Sequence, residues 1–546
     1  MMMKKNLIIL GAGFLQKPAI EAAKKLGCCA VVVDANENAV CVPLADRFEK
    51  IDLKDSEAIF SLAKNLAHDG GLAAIFTAGT DFSTSVSYAG EQLSLHCHSY
   101  EAAQNASIKT RMRSCFQKHG LPSPQFFSVT QDDIENGSIN EFVKAIGFPC
   151  VVKPQDNMGG RGCRMIRNAG EIAQAAKHAV TSSRTRTAIL EQYMKGDEYS
   201  IDALIYDGTF TVTGFADRHI YFPPYFVEMG HTMPAEIDEK KRCELIATFA
   251  LGAKALGLTC GAAKADIKYT ENGPMIGEIA ARLSGGYMSG WTYPYASGCN
   301  LTEQALLIAC GKTPEALEAM RRSVQFTPPD SCSGSEAPYV LYDVPCTQTS
   351  SERAWISIPG VVKEVVGVAH AASRAQVNDV FPRAAQGECV VFPRNNVQKC
   401  GNVLSLAKTR AESVAAAERA VSDIVLRLEA DNADTDAFLA GMEEKSETQF
   451  PPSAYSAPPD IESICGVIPQ NARVSDNIPA QLATLHASQE RDWNCRTFLQ
   501  TCELFDELCK NHDEFDAKKL WKNCVRGGVQ GMLYFADTLM RKRDNG

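Results

Sequence analysis

Two alternating stretches, Ala263 to Lys268 and Ile276 to Leu283, flank the turn sequence Glu271-Asn272-Gly273-Pro274. An Asn-Gly pair between strands favours a tight antiparallel hairpin, because both residues tolerate positive φ. Alternation then sets Lys264, Asp266 and Lys268 on one face of the first strand and Glu278, Ala280 and Arg282 together on the second. The turn centre makes Asp266 and Glu278 close cross-strand neighbours. Like charges so placed destabilise a sheet unless a cation lies between them. Magnesium meets that need, since it takes one or two protein carboxylates and completes its octahedron with phosphate oxygens and water. The alternative is that Lys264, Lys268 and Arg282 neutralise both acids on a solvated face.

Three earlier segments supply groups that suit a phosphate chain. Lys153 ends the apolar run Val151-Val152, and Pro154 stops its strand. Such a lysine either snorkels to water or places a point charge. The loop from Asp156 to Gly162 (DNMGGRG) follows, and its Gly159, Gly160 and Gly162 permit positive φ and leave amides bare for phosphate. It reads equally as a mobile hairpin tip. It is not a Walker A loop, because GxxxxGK[ST] is absent. In Glu191-Gln192-Tyr193-Met194-Lys195-Gly196-Asp197-Glu198 an apolar strand turns polar, so backbone groups can pair with adenine while a carboxylate reaches ribose hydroxyls.

The chain has 546 residues, too many for one core, and is expected to divide into about three or four domains. A net charge of -10 argues against nucleic acid as partner. The 20 cysteines are scattered without a CxxC pair, which reads as reduced core thiols in a cytoplasmic protein rather than a zinc site or disulfide framework. The opening MMMKKNLIILGAGF has too short an apolar run for a signal core, and no later run is long enough to span a bilayer.

Along the chain, Asn6 to Leu10, Lys17 to Leu26 and Ala30 to Asp34 form a β-α-β start. GAGFLQ has Gly11 and Gly13 but Gln16 where a dinucleotide fingerprint wants a small residue, so an α/β wall is favoured over a nicotinamide site. A helix around Lys109 to His119 is broken by Gly120-Leu121-Pro122-Ser123-Pro124, where a boundary is expected. Asp207-Gly208 joins a second hairpin, Tyr199 to Tyr206 with Thr209 to Phe215. After a linker at Thr327-Pro328-Pro329-Asp330-Ser331 come strands at Tyr339 to Val344 and Val361 to Val368 and an alanine-rich helix from Ala411 to Leu428. A second linker, Phe450 through Pro459, precedes a mostly helical stretch ending in Arg541-Lys542-Arg543.

Taken in order, these segments resemble the ATP-grasp superfamily over about Met1 to Leu428, with flanks like those of biotin carboxylase-like members. The resemblance implies an α/β fold in which two lobes close on ATP. Its parts would be an N-terminal Rossmann-like, pre-ATP-grasp domain (1–107), an ATP-grasp domain (108–320) with a lid subdomain at about 120–195, a small C-terminal α+β domain (325–430) and an extra helical tail (460–546). It puts Lys109 and Lys153 on the phosphates, Gly159, Gly160, Arg161 and Gly162 in the covering loop, and Glu191, Gln192, Tyr193 and Met194 at adenine. Glu198 would bind ribose, Asp266 and Glu278 magnesium or manganese, and Arg282 with Ser284-Gly285-Gly286 the transferred phosphate and acyl group. The stretch Pro224 to Pro234 looks most like the L-amino acid ligase branch, in which Glu228 and His231 would face an amino-acid substrate. Asp266 stands where the family usually has Glu, and Ala280 where many members have a metal-binding Asn, which leaves a second magnesium one oxygen short.

The expected activity is an ATP-dependent carboxylate-amine ligase that forms an amide through an acyl phosphate, with Arg282, Lys153, His231 and Glu228 at the chemistry. Two other readings are a bicarbonate-activating carboxylase or purine-pathway ligase, and a non-catalytic ATP-binding assembly module. The partners are small carboxylates and amines, with no membrane, and the tail is expected to cap the body or join a homodimer.

Overall fold

The computed structural model describes residues 4–69, 71–441 and 449–544, with side chains up to Arg541. The side chains of Lys542 and Arg543, expected at the basic end, lie outside the described residues. The chain forms two compact units, one of Met1–Met158, Met165–Arg218 and His231–Ser350, the other of Gly159–Arg164, His219–Gly230 and Ser351–Gly546.

In the first unit the β-α-β start opens a four-stranded parallel sheet of β1 (Asn6–Leu10), β2 (Cys29–Asp34), β3 (Arg47–Lys50) and β4 (Leu72–Phe76), ordered β3-β2-β1-β4. Its central strands bury both faces, with Leu7, Ile9, Ala30 and Val32 on one side and Ile8, Leu10, Val31 and Val33 on the other, as a parallel sheet covered by helices requires. Gln16, the residue that spoils the dinucleotide pattern, is buried and braces the β4 end by taking the Ala78 amide at 3.0 Å. Asp34 accepts from the Ala12 amide at 2.8 Å and so holds the glycine turn itself.

A second four-stranded sheet holds β5 (Phe126–Val129), β6 (Cys150–Pro154), β7 (Arg164–Ile166) and β8 (Ala188–Gln192), ordered β5-β8-β6-β7. The third is antiparallel and runs β13-β12-β9-β10, with β9 Gly196–Tyr206, β10 Thr209–Tyr221, β12 Gly261–Thr270 and β13 Gly273–Ala280; β11 is Val227–Met233. Asp207 (φ 45) and Gly208 (φ 71) both take the left-handed conformation that a two-residue hairpin turn demands. β10 continues to Tyr221, past the end at Phe215 that the sequence suggests. Beneath the hairpin, Ile276 and Ile279 pack with Phe116 and with Phe249 of the helix Glu239–Leu256, which fixes the other face of the sheet as the open one.

The second unit contains the strand Thr349–Trp355 from Ser351 on, Gly401–Ala407 and Val377–Pro382 in that spatial order, and a three-stranded sheet of Cys389–Val390, Gly360–Val366 and Val425–Leu428. The helix expected from Ala411 to Leu428 ends at Asp423. The apolar residues after it pair antiparallel with Gly360–Val366, Leu426 opposite Val365, because a strand buries them better than another helical turn. The tail is also less helical than expected. Three short turns, Ile461–Ser463, Val474–Asp476 and Ala480–Leu482, occupy its first part, since Gly466, Pro469 and Pro479 interrupt longer helices. Helices Phe498–Leu508 and Ala517–Asp544 follow, the latter broken at Gly528 (φ 58). Tyr455, Phe498, Phe505 and Trp521 form their core, which also takes in Val425 and Val366. The 20 cysteines are all free thiols. Among the described residues no helix is long and apolar enough to cross a membrane.

Candidate functional site

The site is built on the open face of the first unit's antiparallel sheet. Asp266 and Glu278 are register partners, with a bulge after Asp266. The next row toward the β13 end sets Lys264 opposite Ala280 on one side and Asp202 on the other, and Asp266 has Ser200 as its second neighbour. Lys264 pairs with Asp266, and Arg218 Nη1 lies 3.0 Å from the same carboxylate. Lys268 Nζ stands 3.2 Å from Glu198, which also pairs with Arg218. Lysine neutralisation of the acids is thus present for Asp266 and Glu198.

Glu278 differs. Its nearest cation is Lys109 Nζ at 3.9 Å, and 36% of its side chain is exposed. Burial of the carboxyl would raise its pKa, but the surrounding Lys109, Lys264, Lys153 and Arg282 override this and hold it at about 2. Glu278 is therefore an ionised acid ringed by cations without a closed ion pair, an arrangement suited to a charged ligand.

Lys109 opens the helix Lys109–Lys118 and donates to the Asn157 carbonyl at 3.0 Å. Asp156, just before, is buried and accepts from Ser183 Oγ at 2.8 Å and from the amides of Arg184 and Thr185 at 3.0 Å, which fixes the root of the glycine loop. Lys153, on β6, lies 2.7 Å from Glu191 on β8, and Arg113 lies 2.8 Å from the other oxygen of Glu191. Burial pushes the Glu191 pKa up, and the charges of Arg113 and Lys153 more than cancel that. With its carboxylate enclosed, Glu191 has only backbone to offer a base. Gln192 pairs across to Cys150, Tyr193 lies under the Lys268 ammonium at 5.3 Å, and Met194 lies near Gly277.

Arg282 is nearly buried, donates to the Leu283 carbonyl at 3.0 Å and stands 4.0 Å from Asp81, which belongs to the Ala78-Gly79-Thr80-Asp81 loop. Ser284 is held by Asp202, whose Oδ2 accepts from its amide at 3.0 Å and its hydroxyl at 2.8 Å. A methyl group on Gly285 would come within 3.1 Å of the Gly79 carbonyl, tighter than an ordinary contact, so glycine suits that backbone approach. Burial drives the Asp202 pKa up to about 6 against those two hydrogen bonds.

Lys109, Lys153, Glu191, Glu198, Asp266, Glu278 and Arg282 are therefore gathered in one unit. His231, fully buried, belongs to this unit as well. Gly159 to Gly162 and Glu228 belong to the second unit. There the Gly159 carbonyl accepts from the Asn396 amide at 2.9 Å, and the glycines of the loop have positive φ. The Glu228 amide donates to Asn396 Oδ1 and its carbonyl accepts from Lys399 Nζ, both at 2.8 Å.

Arg113, Arg218 and Asp202 escaped the sequence reading. Asp202 had a signal, since Glu198, Ser200 and Asp202 alternate with Tyr199, Ile201 and Ala203. Arg218 was hidden by ending β10 too early, and Arg113 by the helix that carries it.

Residues 146–290 match the family model of the ATP-grasp domain. Residues 354–429 match the family model of L-amino acid ligase C-terminal domain 2. A structure of L-amino acid ligase from Bacillus licheniformis superposes with a TM-score of 0.61 at 18% identity, covering 78% of this chain and 99% of that one. Carnosine synthase 1 of Homo sapiens is 23% identical over 332 residues, 57% of this chain and 40% of that protein. A formate-dependent phosphoribosylglycinamide formyltransferase of Sulfurisphaera tokodaii is 27% identical over 261 residues, 45% of this chain and 62% of that enzyme.

Proposed function

We propose that this chain uses ATP and magnesium to join a small carboxylate, an amino acid in the first instance, to an amine. The observation that carries this reading is the convergence of Lys109, Lys153 and Arg282 on an ionised Glu278 that is the register partner of Asp266. A triphosphate and an incoming carboxylate repel each other, so bringing them together in line requires fixed positive charge.

In this reading Lys109 and Lys153 hold phosphate oxygens, and Arg282 steadies the terminal phosphoryl group beside the loop braced by Asp202 and Ser284. A carboxylate oxygen attacks the terminal phosphorus and ADP leaves. The amine nitrogen then attacks the acyl carbon, loses a proton, and phosphate departs as the amide forms. Backbone at Glu191 to Met194 takes the base, Glu198 the ribose, and Gly159 to Gly162 cover the phosphates, because an acyl phosphate left wet hydrolyses. Glu228 is assigned to the substrate ammonium and His231 to its carboxyl end.

Asp266 and Glu278 suit one divalent ion: they are adjacent carboxylates on paired strands, while Ala280 adds no oxygen. Such an ion, magnesium or manganese, would screen charge on the phosphate oxygens. ADP release measured over a panel of amino acids, small carboxylates, formate and bicarbonate, each with and without an amine, tests the proposal. Amine-dependent amide formation with an amino acid is expected. ATP binding without turnover on any pair would favour an assembly module instead, and turnover with bicarbonate alone a carboxylase.

A further inference from the structure

The reactive face contains a cation that the assigned roles do not use. Lys264 stands in the row beside Asp266 and Glu278, with Ala280 as its register partner on one side and Asp202 on the other. Its side chain is 11% exposed, and its ammonium group pairs with Asp266 Oδ2. Ala280 has no polar atom to offer, and is itself buried. Asp202 is fully buried, and its Oδ1 lacks a hydrogen-bond partner while Oδ2 is taken by Ser284. Lys264 is thus fixed between two acidic residues, opposite a position that offers no side-chain oxygen.

We infer that the Lys264 ammonium is a built-in cation of the phosphate site, so that the face takes one divalent ion with each nucleotide and has no place for a second. The inference rests on the ATP-using reading above. A second dication in this row would need an oxygen from position 280, where there is none, and would lie against an ammonium that its neighbours hold in place. Like charges that close repel strongly in a poorly solvated site. A lysine cannot leave as an ion can, so its charge is present whatever the metal concentration.

The test counts manganese on the full-length chain saturated with a non-hydrolysable ATP analogue, by equilibrium dialysis with metal analysis and by the electron paramagnetic resonance of the bound ion, while nucleotide occupancy is measured on the same sample. One ion per bound nucleotide is expected for the wild type and for Ala280→Asn, which still retains the lysine. Two are expected for Lys264→Ala combined with Ala280→Asn, which frees the space and restores an oxygen.

Two ions on the wild-type chain would overturn the inference, and that result does not depend on any variant folding. A folded double variant that binds nucleotide and stays at one ion would overturn it too. Failure of the wild type to bind the analogue at all would instead bring down the ATP-using reading, and the role of Lys264 with it.

Discussion

Glu191 and Glu278 are two carboxylates of one unit, each surrounded by positive charge, and they are finished differently. Glu191 has 4% of its side chain exposed, and Arg113 and Lys153 meet it at 2.8 and 2.7 Å. Glu278 has 36% exposed and its closest cation waits at 3.9 Å. The first is a closed network that fixes where Lys153 sits. The second is open, with attraction to spare for a ligand. Charge count alone does not separate these two acids; the completeness of their pairing does.

The comparison breaks most sharply on Glu278. Glu278→Gln should lower ADP formation by roughly 10³-fold or more and cost less stability than loss of Glu191, since solvent screens part of its attraction to the surrounding cations, read by a coupled ADP assay and thermal melting. Glu191→Gln should act mainly on stability, removing about 3–5 kcal/mol in urea titration because Arg113 and Lys153 keep buried charge without a partner, with turnover falling only through the displaced Lys153. Comparable loss of stability in both variants would erase the distinction.

The pH dependence sharpens it further. Asp202 has a pKa of about 6 in the fold against 3.8 when exposed, so the folded state holds its proton more readily. Its contribution to stability is largest below about pH 4 and falls as pH rises through 6, by on the order of 3 kcal/mol. Asp202→Asn, which keeps an acceptor for Ser284, should flatten the wild-type loss of stability between pH 4.5 and 7 in urea titrations. Glu278, held at about 2 against 4.5 when unfolded, stays ionised in the fold throughout that window and adds only a small slope of opposite sign near pH 4.5, about 0.4 kcal/mol in all. The smallest effect belongs to an exposed pair, Lys144 with Glu141 at 2.6 Å. Lys144→Ala should change stability by less than about 0.5 kcal/mol.

Much of the site could be read along the chain because its parts are local. The turn signal at Asn272-Gly273 and strand alternation bring Asp266 near Glu278, but the loop is Glu271-Asn272, Gly273 already pairs with Thr270, and a bulge after Asp266 sets the exact partner; the β-α-β start, the Asp207-Gly208 hairpin and the order of Lys153, glycine loop and carboxylates needed only short-range rules. Element ends were less legible. Leu428 lies in a strand rather than a helix, since burial against Val362 outweighs the helical preference of the alanines before it.

The sequence by itself therefore determined which charged residues exist, their strand faces and their order. Tertiary structure decided which of them are already satisfied. Arg113 reaches Glu191 from a helix distant in sequence, and Arg218 reaches Asp266 across the sheet, so Glu191 is closed and Glu278 left open. The reason is physical: alternation and turn chemistry act between neighbours along the chain, whereas pairing and desolvation of charges depend on three-dimensional distances that only the packed chain sets.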